Sequence, residues 1–319
     1  MPESQALVRV AAEFLGADVG AARAADLDRA MAAATAVAGE SLDAAELAHR
    51  LRAAAPDDPV RRAFVEALTI GETHFFRLGR QFDALGERVL PALLLARQAT
   101  RRLRVWSAGC STGEEAWSLA VLLEQVVPPG WDATILATDV DEAALEHARR
   151  GIYGARSLRE TPDWVRSRWF TATDDGWEVG ARLRRRVRFA RSNLADDLLP
   201  PVEPGPGGFD LVVCRNVLMY FTAEARARTA ARLSHCLAPG GWLAVAPAEL
   251  SPATFPDLAV RHFPDAILYQ RPEPAGVPDA SASMAPPASL PPPGEEPAPS
   301  RTADRLLAAR AYLDTWCRP

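Results

Sequence analysis

The chain has 319 residues, about two domains on the usual prior of roughly 150 residues per domain, and its 48% hydrophobic and 24% charged residues are those of an ordinary globular protein. Its 36 basic residues are all arginine; without lysine there is no Schiff-base enzyme, no pyridoxal phosphate anchor and no Walker-type phosphate lysine, since each needs a primary amine. A formal net charge of -5 speaks against a sequence-independent nucleic-acid binder, whose affinity comes from excess cations. Cys110, Cys214, Cys236 and Cys317 are spread without a C-x-x-C pair, and no His/Cys cluster has zinc spacing, so reduced thiols and no metal are expected. Met1-Pro-Glu-Ser opens with neither a basic nor an apolar signal region, and no apolar run approaches the roughly 20 residues that span a bilayer. A cytoplasmic location without membrane insertion is expected.

Residues 1 to about 66 are rich in Ala, Leu, Arg and acidic side chains. Leu42, Leu47 and Leu51 have helical spacing, and Ser41 stands as an N-cap before Asp43, which predicts a small helical domain. From Arg104 the pattern changes to short β-like runs over 103–107, 133–138, 187–190, 209–214 and 241–246, alternating with helical stretches over 114–126, 141–150 and 223–237. Strand and helix in alternation predict a mainly parallel sheet covered on both faces, with ligands at the carboxyl ends of its strands. Between Gly151 and Asn193 the alternation is interrupted by Trp164, Trp169, Trp177, the turn signal Asp174-Asp175-Gly176 and the run Arg182-Leu-Arg-Arg-Arg-Val-Arg188. A small antiparallel insertion is expected there. Residues 272–299 hold 10 of the 27 prolines and read as a linker, while Leu306, Leu307, Leu313 and Trp316 space one amphipathic helix behind it.

Four stretches carry chemistry. Thr69-Ile-Gly-Glu-Thr73-His-Phe-Phe-Arg77 connects the helical part to the sheet, with Arg77 able to reach the cleft between them; the phenylalanines and His74 read equally as core and satisfied polar structure. Val105-Trp-Ser-Ala-Gly109-Cys-Ser-Thr-Gly113-Glu-Glu115 runs from strand through a glycine turn into a helix, where the backbone can approach a ligand closely. Its G-x-x-x-G spacing is neither a P-loop nor a dinucleotide fingerprint, and it also fits a plain tight turn. Asp139 closes the second strand, where an acidic side chain accepts hydrogen bonds from ribose hydroxyls or caps the next helix, a task Asp141 can also perform. Phe209-Asp-Leu-Val-Val-Cys-Arg215-Asn216-Val-Leu-Met-Tyr220-Phe221 ends an apolar strand in polar residues, with a surface ion pair for Arg215 and a half-buried core position for Tyr220 as the structural readings.

In this order, E-T-x-F-F-R, W-S-A-G-C-S-T-G-E-E, D-x-D and C-R-N-V-x-x-Y-F resemble the chemoreceptor glutamate methyltransferase family (CheR-type) over roughly residues 20 to 270. The resemblance implies an α/β fold: a helical N-terminal domain plus a doubly wound, Rossmann-like class I methyltransferase domain with a small inserted antiparallel β subdomain. On that pattern residues 1–85 form the helical domain with its connecting segment and 86–271 the methyltransferase domain, with the insertion at about 165–190. Residues 272–299 are then the linker and 300–319 a terminal helix. The cofactor implied is S-adenosylmethionine, leaving as S-adenosylhomocysteine. Its shell by matching motif is Thr73, Arg77, Gly109, Glu115, Asp139, Asn193, Leu194, Arg215 and Asn216, with Arg77 and Tyr220 facing the substrate carboxylate. The partners implied are cytoplasmic domains of methyl-accepting chemoreceptors, whose glutamate side chains become methyl esters in sensory adaptation.

The sequence departs from that pattern at Gly71, where asparagine is common, at Ala116-Trp117 in place of Pro-Tyr, and at Ala246-Pro-Ala-Glu249 in place of G-x-S-E. The last looks like members fused to tetratricopeptide repeats. The arginine run 182–188 reads either as the solvated face of a β ribbon or as a cationic docking surface for an acidic partner. Two other functions stand beside the main one. A methyltransferase of this fold acting on a nucleic acid or small molecule is disfavoured by the charge and by the lack of an N-P-P-Y motif. A non-catalytic or cofactor-sensing scaffold of a chemosensory array is disfavoured by the intact Arg77, Asp139, Asn216 and Tyr220.

Overall fold

The structure, a computed structural model, describes residues 2–20, 23–196, 207–264 and 266–273. Most of the expected linker, the terminal helix 300–319 and Cys317 lie outside the described residues. The N-terminal part is four helices, α1 (Pro2–Leu15), α2 (Ala24–Ala38), α3 (Ala44–Ala53) and α4 (Pro59–Leu68), around a core of Leu7, Val10, Leu27, Leu47, Leu51 and Phe64. Asp43, not Ser41, caps α3: its carboxylate accepts the N–H groups of Ala45 and Glu46 at 2.8 Å each, and Glu46 returns a bond to the Asp43 N–H at 2.8 Å. Asp43 takes the position because Glu46 stands three residues on, which completes a capping box that Ser41 has no partner to form. Asp58 and Pro59 start α4 in the same spirit, a carboxylate cap followed by proline at the first helical position.

The core changes between Leu68 and Phe75, within the connecting segment counted with the helical domain. Phe75, Phe76 and Phe82 pack under the sheet together with α5 (Gly79–Ala84), a π turn at Leu85–Val89 and α6 (Leu90–Ala96). The sheet domain then runs β1 (Arg102–Ala108), α7 (Glu114–Val126), β2 (Asp132–Asp139), α8 (Glu142–Arg150), an insertion, β6 (Val187–Arg191), β7 (Phe209–Val213), α11 (Ala223–Cys236), β8 (Leu237–Ala244), β9 (Ala259–Phe263) and β10 (Ala266–Gln270). The strand order is β6-β2-β1-β7-β8-β10-β9, parallel from β6 to β8, with β10 antiparallel to both its neighbours. Strand alternation divides β1 between two cores: Leu103 and Val105 join the one under α7, Trp106 and Ala108 the one under α11. The register sets Ala108 opposite Thr138, Ser107 opposite Val213 and Asp139 opposite Arg191, so the strands end level along one edge.

The insertion lies where the alternation is interrupted after Gly151, its first strand falling ahead of the bound of about 165. Its antiparallel sheet is β3 (Ile152–Tyr153), β5 (Gly176–Val179) and β4 (Phe170–Thr173), with α9 (Asp163–Trp169) before the hairpin and α10 (Ala181–Arg184) after it. Val187 to Arg191 leaves it to become the edge strand of the large sheet. The arginine run is not a ribbon face: it spans α10 and the turn into β6. Arg182 and Arg186 both bind Glu124 of α7 at 2.7 Å, and Arg184 binds Glu178 at 3.1 Å and the carbonyls of Arg149 and Arg150. These arginines staple the insertion to the sheet domain. Among the described residues no helix is long and apolar enough to cross a membrane.

Candidate functional site

One cleft at the carboxyl edge of the sheet, closed on its far side by the helical unit, is lined by Thr73, Arg77, Gly109, Glu115, Asp139, Asn193, Leu194, Arg215, Asn216 and Tyr220. The sheet brings them together because each of the loops after β1, β2, β6 and β7 starts from the same edge.

The floor is the turn from β1 into α7. Gly109 has φ +81° and Gly113 φ +95°, a region that favours glycine, and space is short as well. A Cβ on Gly109 would come within 2.5 Å of Val217 Cγ2, and one on Gly113 within 2.7 Å of Ala148 Cβ. The Gly109 and Cys110 N–H groups donate to Thr138 O, which locks the turn against β2. The Ser111 N–H donates to Asp139 Oδ2 at 2.7 Å and the Asp141 N–H to Asp139 Oδ1 at 3.0 Å. Asp141 caps α8 through Ala144 N at 2.9 Å, so Asp139 is relieved of that task and presents its carboxylate to the cleft. Burial pushes the Asp139 carboxyl above its usual value, opposed by the N–H groups of Asp141 and Ser111. Burial also pushes the Cys110 thiol well up, which keeps it protonated and inert where it lines the floor.

The back wall is a buried ion pair. Glu115 accepts from Ser107 Oγ at 2.7 Å and from Arg215 Nε at 2.8 Å, and their side chains are 10% and 3% exposed. Arg215 is therefore no surface pair. Its Nη1 also donates to Arg77 O at 2.7 Å and reaches Gln81 Oε1 at 3.3 Å, while the guanidinium lies over the Phe82 ring at 4.8 Å. Its partners are protein groups, and its effect on the cleft is to fix the backbone that carries Arg77. Arg77 Nη1 donates to Glu72 O at 2.7 Å, and Gly71 O accepts from Ser111 Oγ at 3.3 Å. His74 turns away from the cleft to Arg159 and Glu160, and Phe75 packs edge-on against Tyr153 and Phe170. Trp117 is buried against Phe189, so the departure at that position belongs to packing.

Asn193 ties the cleft to the helical unit: its Nδ2 donates to Phe14 O and Asp196 Oδ1, and its Oδ1 accepts from Ala195 N. Leu194 O accepts from Thr229 Oγ1 of α11 at 2.9 Å. Asn216 adopts φ +58°, which asparagine tolerates better than most side chains. Tyr220 is half-buried at the end of a 3₁₀ turn, with its carbonyl accepting from Asp18 N at 2.8 Å.

Two residues escaped the sequence reading. Glu249 is buried and accepts four backbone N–H groups, from Asn216 (2.9 Å), Val217 (2.7 Å), Met219 (3.2 Å) and Ala246 (2.9 Å), thereby lacing the loop after β7 to the loop after β8. Its signal was the glutamate retained in Ala246-Pro-Ala-Glu249, behind the changes around it. Glu249→Ala is expected to lower stability by about 2–4 kcal/mol in urea denaturation and to speed amide exchange at Asn216, Val217 and Met219, because their N–H groups lose a common acceptor. Arg23, at the start of α2, lines the cleft with its guanidinium 5.7 Å from the centre of the Tyr220 ring. Nothing in a helical, alanine-rich stretch marks it.

The arrangement offers a carboxylate acceptor at a glycine turn beside fixed cations and a phenol. Residues 71–258 match the family described as CheR methyltransferase, SAM binding domain. The chain is 37% identical over 202 residues to a chemotaxis protein methyltransferase of Listeria monocytogenes, covering 63% of this chain and 74% of that protein. It is 35% identical over 198 residues to chemotaxis protein methyltransferase 1 of Pseudomonas aeruginosa, covering 60% and 70%. Over 193 residues it is 34% identical to the probable biofilm formation methyltransferase WspC of Pseudomonas aeruginosa, covering 60% and 44%.

Proposed function

The chain belongs to the CheR methyltransferase family, and from that premise we propose that its cleft serves methyl transfer from S-adenosylmethionine to glutamate carboxylates of chemoreceptor cytoplasmic domains, with Arg77 and Tyr220 at the acceptor. The residues present suit the cofactor. Asp139 carries lone pairs beyond the two N–H bonds it accepts, and it ends the second strand, where such a carboxylate receives ribose hydroxyls. Thr73, Gly109, Asn193, Leu194 and Asn216 supply the rest of the wall, and the Glu115–Arg215 pair supports it from behind. When bound, the cofactor supplies a sulfonium methyl group to a nucleophile.

The acceptor needs little activation. A glutamate side chain is already ionised at neutral pH, so its oxygen attacks without a general base. The work left to the protein is alignment and removal of water from the carboxylate. Arg77 holds one carboxylate oxygen by a charge-assisted bond, leaving the other to attack, and the Tyr220 hydroxyl orients the group. The observation that carries this reading is the meeting of Asp139, Arg77 and Tyr220 in one cleft.

The test is incorporation of a radiolabelled methyl group into purified receptor cytoplasmic fragments. Alkali-labile label at glutamate is expected, and label that resists alkali or appears only on RNA or small molecules would overturn the proposal. Tyr220→Phe is expected to lower kcat about tenfold with cofactor affinity unchanged, and Arg77→Ala about a hundredfold, because a charged partner is lost. Wild-type rates in both variants would remove these residues from the chemistry.

A further inference from the structure

We propose that Arg61 and Arg191 form a second binding site, for a small phosphate-bearing molecule, in a groove beside the cofactor cleft that methyl transfer does not use.

The groove encloses about 420 Å³ between α1, α4 and the loops after β2 and β6. Leu15, Val140, Ser192 and Asn193 form a partition, each lining both the groove and the cofactor cleft, whereas Arg61 and Arg191 line the groove alone. Both arginines are half-buried and held in place. Arg61, in the first turn of α4, lies over the Phe14 ring at 3.9 Å, and its Nη1 donates to Ala54 O at 3.2 Å. Arg191, at the end of β6, donates from Nε to Val140 O at 3.3 Å and from Nη2 to Pro56 O at 3.0 Å. Carbonyls satisfy those N–H groups without neutralising the charge.

Among the described residues neither guanidinium forms an ion pair, and Arg61 Nε and Nη2, Arg191 Nη1 and the Ser192 hydroxyl have no hydrogen-bond partner. Asp196 also lines the groove, but its carboxylate accepts from Asn193 Nδ2 at 2.7 Å. Burial lowers the Arg61 guanidinium from its ordinary value; Asp196 opposes the fall, and the like charge of Arg191 adds to it. Two cations brought together where water is partly removed repel, and a bound anion turns that repulsion into attraction. Their charge and shape select the ligand. A phosphate monoester carries about -1.5 to -2 at neutral pH and accepts paired N–H bonds from a planar guanidinium, whereas a single carboxylate leaves one cation unmet. The volume lies within the roughly 300–1,000 Å³ of small-molecule sites, more than a bare phosphate fills. Two cations in a walled groove, on a chain of net charge -5, do not make the basic stripe a polynucleotide needs.

The test is calorimetric titration of the full chain, at constant ionic strength and with saturating S-adenosylhomocysteine in the cofactor cleft, using inorganic phosphate, inorganic pyrophosphate, adenosine 5′-monophosphate and adenosine. The phosphate compounds are expected to bind and adenosine is not; tighter binding of the nucleotide assigns the groove to nucleotides, and tighter binding of pyrophosphate to inorganic anions. Arg61→Gln and Arg191→Gln should each weaken pyrophosphate binding about tenfold, the scale of one charge-assisted hydrogen bond, with S-adenosylhomocysteine affinity near wild type. Pyrophosphate should also raise the Tm of the wild type more than that of either variant, because it binds the folded chain. Arg191→Gln leaves the Phe14 contact intact and carries the comparison if Arg61→Gln does not fold. No binding of any phosphate compound at millimolar concentration, binding only when S-adenosylhomocysteine is left out, or equal affinity in wild type and Arg191→Gln overturns the proposal, and none of these outcomes bears on methylation of glutamate.

Discussion

Asp139→Asn is expected to weaken binding of S-adenosylmethionine and S-adenosylhomocysteine by about a hundredfold or more in calorimetric titration. The carboxylate accepts N–H groups on both oxygens, from Ser111 and from Asp141. An amide must turn its NH₂ against one of them, and the ribose hydroxyls lose a charged acceptor that contributes about 1.5–3 kcal/mol per bond. The variant also tests the ionisation of the group. Burial raises the Asp139 carboxyl above its ordinary value, so the protonated form is reached at a higher pH than for an exposed aspartate. Protonation removes the acceptor. Cofactor affinity in the wild type should therefore fall as pH drops through the raised value and recover above it, and this part of the pH dependence should be missing in Asp139→Asn. A cofactor affinity within threefold of wild type in the variant would remove Asp139 from the ribose site.

Arg215→Ala is expected to lower stability by about 3–5 kcal/mol, a fall in Tm of roughly 10 °C. Removing the cation strands the Glu115 carboxylate in a buried wall with Ser107 as its remaining bonded partner, and frees the carbonyl of Arg77. The double variant Arg215→Met/Glu115→Leu separates stability from function. Replacing both ions by apolar groups of similar volume is often neutral, so the double variant should recover much of the lost Tm. It should not recover methyl transfer, because no side chain then fixes the Arg77 backbone. Recovery of both would make the pair a structural filler, and recovery of neither would point to a packing defect at Phe82.

The site was legible where its residues sit in short, ordered motifs. The turn at Gly109, the strand-end Asp139 and the Arg215-Asn216 corner line the cleft as read, because a βα alternation leaves the ends of parallel strands on one edge. Roles were less legible than positions. Arg215 and Asn193 contain the right groups, yet their side chains are bonded to protein partners, Arg215 to Glu115 and Asn193 to Phe14 O, pairings separated by 100 and 179 positions. Glu249 and Arg23 were passed over for the same reason: their importance lies in what they touch, and neither stands in a pattern of its own. At the local scale the exchange of Ser41 for Asp43 as cap turned on a single partner, Glu46. In the arginine run, Arg182, Arg184 and Arg186 bond to Glu124, Glu178 and the end of α8, while Arg185 and Arg188 stay exposed, a division that no residue order announces.

From the amino-acid order alone came the fold class, the succession of strands and helices, the family and the list of residues around the cleft, since each rests on periodicity or on short motifs. The tertiary structure decided where one core ends and the next begins, which strand leaves the insertion for the large sheet, and which cations are already paired. Those outcomes depend on contacts between residues far apart in the chain, where burial removes water and makes the presence or absence of one partner decisive. A chain without lysine builds its charged positions from arginine, and only the fold separates Arg215, buried against Glu115, from Arg23, bonded to Asp26 and Leu68 O at the cleft wall beside Tyr220.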